Sequence, residues 1–589
     1  MRITYCDRKE IVFGTRPHDD PLAVISGALS EHATKKKFVS RANFDSIVTP
    51  EMILQVVMQP RLFPGKNNHE KLEIAQNIYY GRADRRLGPC RKLVAVMALV
   101  DREPMEEVIE DYMKDGICDD CLPFKFNNET QSLVCRTHGI HSSINRPRRN
   151  RALFCHEFTE RSQWVMTPFI TWEEQTGIHN HYVMDEGGPL PVVFEDSVST
   201  TEGGFGVVYK VRIEPEDGQF SCYSPGNKPG VYALKQLKHD VRKGTVSTCE
   251  ADFDYEVGLL IFAQRRARSQ ATKVQQLENI EINSHMIQLL ASFEIADPNH
   301  SRKDYFMLFP WADGSLSDFW TDQRHSPMIT GHIGWMIYQF AGLVKALQCI
   351  HNNSNQPNPG APSTVHFGRH GDIKPSNILY FDHHNGWGIG GVNKTLSLAD
   401  FGLGRLHKRH SRSKDSPSEH AQTATYRAPE SELLGGKLSP KSDVFSLGCV
   451  FLEHVTWLIL STSGGDPIDE FSNQRSEKDI FGFESDTFYR IVDPTTRGSA
   501  KLKESVQNWI GQTLKRNQGC VEVIYDLLEL IEKKMLEPMQ DKRIDSRNLG
   551  AELLKIVQRW QQDGEGDYGK RHWTLCKSQA LVQLVAKKY

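Results

Sequence analysis

The chain has 589 residues, too many for one ordinary globular domain, so we expect at least two hydrophobic cores. A hydrophobic fraction of 39%, a charged fraction of 25% and a net charge of −3 are typical of a folded soluble protein, and they give no electrostatic reason to expect nucleic acid or membrane as a partner. The 12 cysteines lie scattered in apolar segments, which excludes a disulfide scaffold and predicts an intracellular protein, cytoplasmic or nuclear.

The N-terminal part of the chain is predicted to be mainly helical. Residues 1–43 are mixed and polar, and we expect them to be poorly ordered or peripheral. Residues 44–190 form an accessory region, in which Thr49, Pro50 and Glu51 have the pattern of an N-cap followed by a helix start. The Gly-Gly-Pro sequence at 187–189 predicts a linker to a second domain.

Two cysteine-containing pairs lie inside the accessory region. Cys118 and Cys121 are followed by Cys135 and His138, with His141 just beyond. This spacing is compatible with a tetrahedral zinc site. It is also compatible with a packed hairpin, because the residues between the pairs include apolar ones, and the hairpin is the interpretation that the sequence alone favours.

After the linker, the pattern changes from short β-type segments to long helical ones. Residues 191–562 therefore predict an α+β fold, with a small β-rich lobe, a larger helical lobe and a cleft between them. Residues 563–589 are interpreted as a C-terminal extension.

Two segments of the β-rich lobe contain residues suited to phosphate. Gly203, Gly204 and Gly206 form a glycine-rich turn whose backbone N–H groups could approach phosphate oxygens, although such a turn alone is weak evidence. Lys235 ends an apolar strand, and Glu256 in the next helix could neutralise it. A strand-end lysine that reaches solvent is the alternative.

The strongest chemical signal is the loop from His370 to Asn377. Asp372 could deprotonate a hydroxyl, Lys374 could neutralise phosphate charge, and Asn377 could bind a metal. A second carboxylate, Asp400, follows an apolar strand and precedes Phe-Gly, where it could bind Mg²⁺.

In their order and spacing, these segments resemble the signature motifs of eukaryotic protein kinases. The resemblance covers about 191–562 and includes Thr425-Tyr-Arg-Ala-Pro-Glu430. It implies a bilobal serine/threonine kinase that uses ATP and Mg²⁺. The layout, with a helical N-terminal region, is also similar to that of a divergent group of fungal kinase-domain proteins.

The resemblance also implies a role for individual residues. Asp372 would be the catalytic base, with Lys374 and Lys235 as catalytic cations and Asn377 and Asp400 as Mg²⁺ ligands. The residues implied to bind ATP are Gly203, Gly204, Gly206, Val208, Ala233, Lys235, Glu256, Phe309, Pro310, Ala312 and Leu379. The residues implied to brace the fold are the pair Glu430 and Arg543, the loop anchor Asp443, and the hydrophobic column Leu260, Leu289, His370 and Phe401.

Two positions depart from the kinase pattern. Thr201 stands where the first glycine is expected, and Gly371 stands where most kinases have arginine next to the base. They keep open the alternative of a pseudokinase that acts as a nucleotide-binding or scaffolding module. Lys374 followed by Pro375 is the serine/threonine version of the loop. A protein substrate is thus expected, together with an unidentified regulatory partner bound through the N-terminal region.

Overall fold

The structure is a computed structural model. It describes residues 20–36, 38–39, 41–60, 62–81, 88–100, 109–135, 137–146, 151–166, 170–173, 179–184, 189–195, 201–202, 206–213, 218–221, 230–237, 247–274, 285–297, 302–322, 330–351, 368–382, 392–401, 424–461, 465–479, 482–492, 498–564 and 566–572.

The N-terminal region is mainly helical, with one small sheet. Its helices are α1 (Pro21–Lys36), α2 (Arg41–Ile47), α3 (Pro50–Met58), α4 (Asn68–Tyr80), α5 (Arg91–Val100), α6 (Ile109–Lys114) and α7 (Arg151–Trp164). The predicted N-cap is present, since Thr49 Oγ1 accepts a hydrogen bond from the Met52 N–H at 3.2 Å. Strands β1 (Lys125–Asn127), β2 (Ser132–Cys135) and β3 (Gly139–Ile140) form an antiparallel sheet in that order.

The prediction that residues 1–43 are poorly ordered or peripheral is wrong for α1. Ile25 and Leu29 of this helix are fully buried in the core of the N-terminal region. The polar character of the segment as a whole concealed them, because these two buried residues lie one turn apart on the same side of the helix.

The small lobe is built on a twisted sheet. Within the described residues its strands follow the order β5–β11–β12–β10–β8–β6, with β7 also paired to β8. The strands are β5 (Asn180–Met184), β6 (Val193–Phe194), β7 (Thr201–Glu202), β8 (Gly206–Arg212), β10 (Val231–Leu237), β11 (Ala291–Asp297) and β12 (Arg302–Pro310), and helix α8 (Ser247–Val274) accompanies them.

The small lobe begins earlier in the chain than the predicted boundary at residue 191. Strand β5 pairs in parallel with β11, and β4 (Ile170–Glu173) pairs in parallel with β9 (Gly218–Ser221). Ile170 and Trp172 are buried in the same apolar cluster as Phe293 and Leu308. The Gly-Gly-Pro sequence at 187–189 lies in the chain between β5 and β6 of the same lobe. A connection between two strands can have the same glycine and proline composition as a linker between domains, so the sequence alone did not show where the lobe begins.

The large lobe is helical, as predicted. Its elements are β13 (Gly314–Ser315), α9 (Leu316–Asp322), α10 (Thr330–Ile350), β14 (Ile378–Asp382), β15 (Lys394–Leu398), α11 (Pro440–Leu460), α12 (Pro467–Arg475), β16 (Glu477–Lys478), β17 (Glu484–Ser485), β18 (Tyr489–Ile491), β19 (Ala500–Leu502), α13 (Glu504–Asn508), α14 (Glu522–Leu530), α15 (Ser546–Asp563) and α16 (Asp567–Lys570). Helices α13 and α14 continue as π-helical turns, Trp509–Leu514 and Ile531–Met535. The predicted bilobal α+β fold is thus confirmed.

Two helices of the large lobe are long and apolar enough to cross a bilayer by length and composition. These stretches are Gly331–Ile350 in α10 and Pro440–Leu460 in α11, and 83% and 89% of an apolar 18-residue window in each are buried. Their side chains belong to the large core cluster that also contains Leu260 and Met307 of the small lobe. Packing inside the lobe therefore accounts for their apolar character.

The large lobe extends slightly past the predicted end at residue 562. Tyr568 in α16 is fully buried, and its hydroxyl donates to Asp526 Oδ2 at 3.0 Å. The N–H of Glu522 donates to the carbonyl of Arg571 at 3.1 Å. The first residues of the predicted extension are thus part of the lobe.

Candidate active site

The small-lobe side of the cleft is formed by three neighbouring strands. Strand β10 lies between β8 and β12, with Lys235 opposite Val208 and Ala233 opposite Phe309. Lys235 and Phe309 are buried, whereas Val208 and Ala233 are half-buried. These residues, all of them implied to bind ATP, therefore lie on adjoining strands.

The strands on either side of the glycine-rich turn pair with each other. Strands β7 and β8 pair with Thr201 opposite Val208, so Thr201 takes a strand position in this hairpin. Gly206 needs to be glycine, because a Cβ atom there would lie 2.7 Å from the carbonyl oxygen of Gln236 on β10. The predicted phosphate contacts Gly203 and Gly204 lie outside the described residues.

Lys235 joins the two lobes. Its Nζ lies 2.7 Å from Glu256 Oε1 on α8 and 2.7 Å from Asp400 Oδ1, at the end of the segment that follows β15. Burial opposes the charge on Lys235, but the carboxylates of Asp400 and Glu256 outweigh it and raise the lysine pKa. Burial likewise opposes the charge on Asp400, yet Lys235 holds the pKa of Asp400 below its usual value. Lys235 and Asp400 are therefore both charged at neutral pH.

The backbone of Asp400 is unusual. Its φ angle is +62°, a conformation that L-amino acids other than glycine seldom adopt. Such conformations persist only where the surroundings enforce them, and they cluster at functional sites. Here the next residue, Phe401, is fully buried, with its ring centroid 4.8 Å from that of His370. Burial of Phe401 and the Lys235 contact together hold the carboxylate of Asp400 in the cleft.

The predicted hydrophobic column is buried throughout. Leu260, Leu289, His370 and Phe401 have no exposed surface and link α8 to the loop that carries Asp372. Burial lowers the pKa of His370, and its Nε2 lies 3.0 Å from the carbonyl oxygen of Ala399. Because only an N–H can bond a carbonyl, Nε2 carries the hydrogen of a neutral imidazole.

The loop residues Asp372, Lys374 and Asn377 form one contact group. Asp372 Oδ2 accepts a hydrogen bond from Asn377 Nδ2 at 2.9 Å and lies 3.0 Å from Lys374 Nζ. The Asn377 amide also donates to the backbone carbonyl of Asp372 at 2.9 Å. A carboxylate fixed in this way has a defined orientation, which a catalytic base requires.

Asp443 at the start of α11 anchors the same loop, as predicted. Its carboxylate accepts hydrogen bonds from the backbone N–H groups of His370, at 2.8 Å, and Gly371, at 2.9 Å. His351 Nε2 lies 2.7 Å from the same carboxylate, a partner that sequence reasoning missed. Burial raises the pKa of Asp443, but the hydrogen bond from His351 and the neighbouring charges outweigh it and lower the value.

Gly371 departs from the kinase pattern at a position where the backbone suits glycine. Its φ angle is +83°, in the left-handed region where glycine has no steric penalty. Glycine at this position supplies no side-chain cation, and it is the residue type that best tolerates this backbone conformation.

Two buried ion pairs brace the large lobe. The predicted one is present, since Arg543 binds Glu430 through two hydrogen bonds of 2.8 and 2.9 Å. Sequence reasoning missed the other, in which Arg475 Nη2 lies 2.7 Å from Glu453 Oε1. Glu453 also accepts a hydrogen bond from the Tyr426 hydroxyl at 2.8 Å, so this pair supports the segment that follows Thr425.

A small cavity lies next to the predicted base. It has a volume of about 130 Å³, and its lining includes Asp372, Arg369, Arg427 and Ser446. Thr425 Oγ1 donates to Asp486 Oδ1 at 2.5 Å, which holds one end of the segment beside this cavity. Asp372 is therefore part of the wall of this cavity.

The remaining predicted residues lie where the lobes meet. Pro310 ends β12 opposite Tyr232 of β10, and Ala312 follows it, half-buried, on the way to the large lobe. Leu379 of β14 is half-buried and packs on the core below them. The described part of the predicted site thus contains two contact groups, one around Lys235 and one around Asp372, and the Ala399 N–H donates to the Asn377 carbonyl at 2.9 Å between them.

Comparison with known proteins agrees with this geometry. The family profile described as "Protein kinase domain" matches residues 244–548. This range contains Glu256, Asp372, Asn377 and Asp400 but begins after Lys235, whose position rests on the structure.

Individual relatives match at low identity. U-box domain-containing protein 70 of Oryza sativa subsp. japonica is 26% identical over 54% of this chain and 31% of its own length. Mitogen-activated protein kinase KSS1 of Saccharomyces cerevisiae is 27% identical over 26% of this chain and 39% of its own. Cyclin-dependent kinase C-3 of Oryza sativa subsp. japonica is 30% identical over 35% of this chain and 55% of its own. The matched part thus spans about a third to a half of these relatives.

Proposed function

The chain belongs to the protein kinase family, and from this premise we propose that it is an active enzyme that transfers the γ-phosphate of ATP to serine or threonine hydroxyls of proteins. The observation that carries the proposal is the double contact of Lys235, 2.7 Å from Glu256 and 2.7 Å from Asp400. In the kinase mechanism the lysine must pair with the glutamate of the small-lobe helix, and the aspartate must face the metal.

The proposed base is Asp372. Its Oδ2 is occupied by Lys374 and Asn377, so its second oxygen is the one available to a substrate hydroxyl entering from the adjoining cavity. Asp372 would orient the hydroxyl and accept its proton, while Lys374 would neutralise charge on the transferred group.

The donor set also suits Mg²⁺. The described side-chain contacts of Asn377 use Nδ2, which leaves its amide oxygen for a metal, and Asp400 contacts Lys235 through Oδ1, which leaves Oδ2. Carboxylate and amide oxygens are the hard ligands that Mg²⁺ prefers. When bound, the metal would neutralise phosphate charge. Asn377 and Asp400 would hold it, and Lys235 would bind the α- and β-phosphates.

Serine/threonine selectivity rests on the catalytic loop. Lys374 followed by Pro375 is the serine/threonine form of the motif, and Pro375 starts the short 3₁₀ turn that ends at Asn377. The cytoplasmic or nuclear compartment, a regulatory partner bound through the N-terminal region and the resemblance to fungal kinase-domain proteins are parts of the same proposal.

A second candidate is a pseudokinase that binds nucleotide without transferring phosphate. Thr201 in place of a glycine and the absence of an arginine at Gly371 favour it. The two candidates differ in phosphate transfer.

The test is an autophosphorylation and substrate assay with radiolabelled ATP, Mg²⁺ and a generic basic protein, followed by phosphoamino-acid analysis. We expect label on serine and threonine, and a higher melting temperature of the wild type with Mg·ATP, because a ligand that binds the folded state stabilises it. A melting shift without any label would favour the pseudokinase. If neither label nor a melting shift is found, both the active kinase and the pseudokinase are contradicted.

A further inference from the structure

Four side chains with metal-binding atoms converge in the N-terminal region, away from the kinase cleft. They are Cys121 at the end of a 3₁₀ turn, Cys135 at the end of β2, His138 in the following turn and His141 just after β3. The Sγ and ring nitrogen atoms of this cluster all lie within 4.8 Å of one another. Its members come from a turn and a hairpin, which the structure brings together.

The distances in the cluster match the edges of a metal tetrahedron. With Zn–S near 2.3 Å and Zn–N near 2.0–2.1 Å, a tetrahedral site has S···N edges of about 3.6 Å. Cys121 Sγ lies 3.5 Å from His138 Nδ1 and 3.8 Å from His141 Nε2. Cys135 Sγ lies 3.9 and 3.2 Å from the same two nitrogens. Each sulfur thus faces both nitrogens at close to the required separation.

Hydrogen bonding alone does not explain these contacts. Each thiol has a single proton and His138 Nδ1 carries at most one, so hydrogen bonds can account for three of the four S···N contacts at most. His141 Nδ1 lies 3.1 Å from the backbone carbonyl oxygen of Asp115, so Nδ1 carries the ring hydrogen and Nε2 presents a lone pair to the sulfurs. This is the orientation that a metal-binding histidine takes when its other nitrogen bonds a carbonyl.

The surroundings of the cluster hold it in place. Cys121, Cys135 and His141 are buried, and the backbone N–H of His138 donates to Cys135 Sγ at 3.0 Å. The side chain of Asp115 accepts hydrogen bonds from the N–H and hydroxyl of Ser143 at 2.8 and 2.7 Å. The segment whose carbonyl orients His141 is therefore itself fixed.

We propose that Cys121, Cys135, His138 and His141 bind one Zn²⁺ ion. A Cys₂His₂ set is typical of structural zinc, and four protein ligands leave no position open for a substrate. The packed hairpin that the sequence favours between the two pairs is present as β1 and β2, and three of the ligands lie at the end of β2 or just beyond it. His141 replaces Cys118, which is buried beside Cys121 but lies outside the set.

The ion would link the 3₁₀ turn to the β2–β3 hairpin. Strands β2 and β3 are four and two residues long, and such a small sheet needs additional support. Because metal binding supplies folding free energy, removal of the ion should lower the melting temperature of the N-terminal region.

The first test is elemental analysis of the full chain purified from zinc-supplemented medium without chelators. We expect one zinc per chain in the wild type, and loss of zinc in Cys121→Ser and Cys135→Ser. Cys155→Ser is the matched control, because Cys155 is buried in the same core but lies outside the set, and it should retain zinc. Wild-type protein without zinc, or with iron or copper in its place, would overturn the proposal.

A second test does not depend on how the variants fold. Titration of wild-type thiols with a mercurial reagent should release zinc, and Co²⁺ in its place should give the visible absorption of a tetrahedral site with thiolate charge transfer. Folded protein that takes up no Co²⁺ would overturn the site. A comparison of His141→Gln with Cys118→Ser tests the ligand set. The first should lose zinc and the second should keep it, and the reverse result would refute the assignment of His141.

Discussion

Replacement of Asp372 by asparagine should abolish phosphate transfer and leave ATP binding nearly unchanged. The Oδ2 atom of Asp372 faces two donors, Asn377 Nδ2 at 2.9 Å and Lys374 Nζ at 3.0 Å. In the variant the amide oxygen must take this place, because an NH₂ group there would face other donors. The NH₂ group then occupies the position of the proposed base and cannot accept the proton of the substrate hydroxyl.

The size of the effect follows from this geometry. Loss of a general base typically costs about 10²–10⁴-fold in rate, which corresponds to ~3–5 kcal/mol in the barrier. Both hydrogen-bonding neighbours keep an acceptor, so the change in folding free energy should stay within ~1 kcal/mol. The contacts described for the Asp372 side chain are with the loop, whereas Lys235 contacts Glu256 and Asp400. ATP affinity should therefore change little.

The assay pairs two measurements on the same preparations. Turnover is measured with a generic basic protein at saturating ATP, and ATP affinity is measured by calorimetry in the presence of Mg²⁺. Glu552→Gln is the control, because Glu552 is a half-exposed carboxylate that pairs with Lys555 on the surface of α15. Wild-type turnover in the Asp372 variant would refute the base assignment, and so would a fall in ATP affinity as large as the fall in turnover.

Three further perturbations test other parts of the site and its supports. Asp400→Asn should weaken Mg·ATP binding by about tenfold or more, because it removes a charged metal ligand and hydrogen bonds to charged groups contribute ~1.5–3 kcal/mol; unchanged affinity in calorimetry would contradict the metal role. Glu453→Ala should destabilise the large lobe by ~3 kcal/mol in urea unfolding, because the buried Arg475 then keeps only the more distant carboxylate of Asp486, 3.6 Å from its Nη2, as a described ion-pair partner; a loss below ~1 kcal/mol would contradict this. Burial lowers the pKa of His285 from 6.5 to about 4, so the unfolded chain binds a proton at a higher pH than the folded protein does. The free energy of unfolding should therefore fall by ~3 kcal/mol as the pH drops from about 6.5 to about 4. The variant His285→Asn keeps a donor for the carbonyl of Leu396. Its melting temperature should depend less on pH than that of the wild type. Equal pH dependence in both proteins would contradict a lowered pKa of His285.

The kinase cleft was largely predictable from sequence because its chemistry is encoded in short segments. The loop from His370 to Asn377 and the Asp-Phe-Gly at Asp400 need particular side chains at consecutive positions. Local spacing therefore identified Asp372, Lys374, Asn377 and Asp400 together. Their partners outside these motifs were not predictable in the same way. His351 directly follows α10 and Arg475 ends α12, and only folding brings them to Asp443 and Glu453.

The sequence by itself determined the fold class and the chemistry proposed for the loop from His370 to Asn377, because both depend on patterns of residues that are near one another in the chain. The candidates for binding ATP followed from the order of these motifs and their resemblance to those of kinases. Only the tertiary structure decided where the small lobe begins, since Asn180–Met184 joins the sheet by pairing with a strand about 110 residues later. It also decided between Cys118 and His141 as a partner of Cys121. Both lie at suitable spacings, and only the fold of the hairpin determines which side chain faces the shared centre.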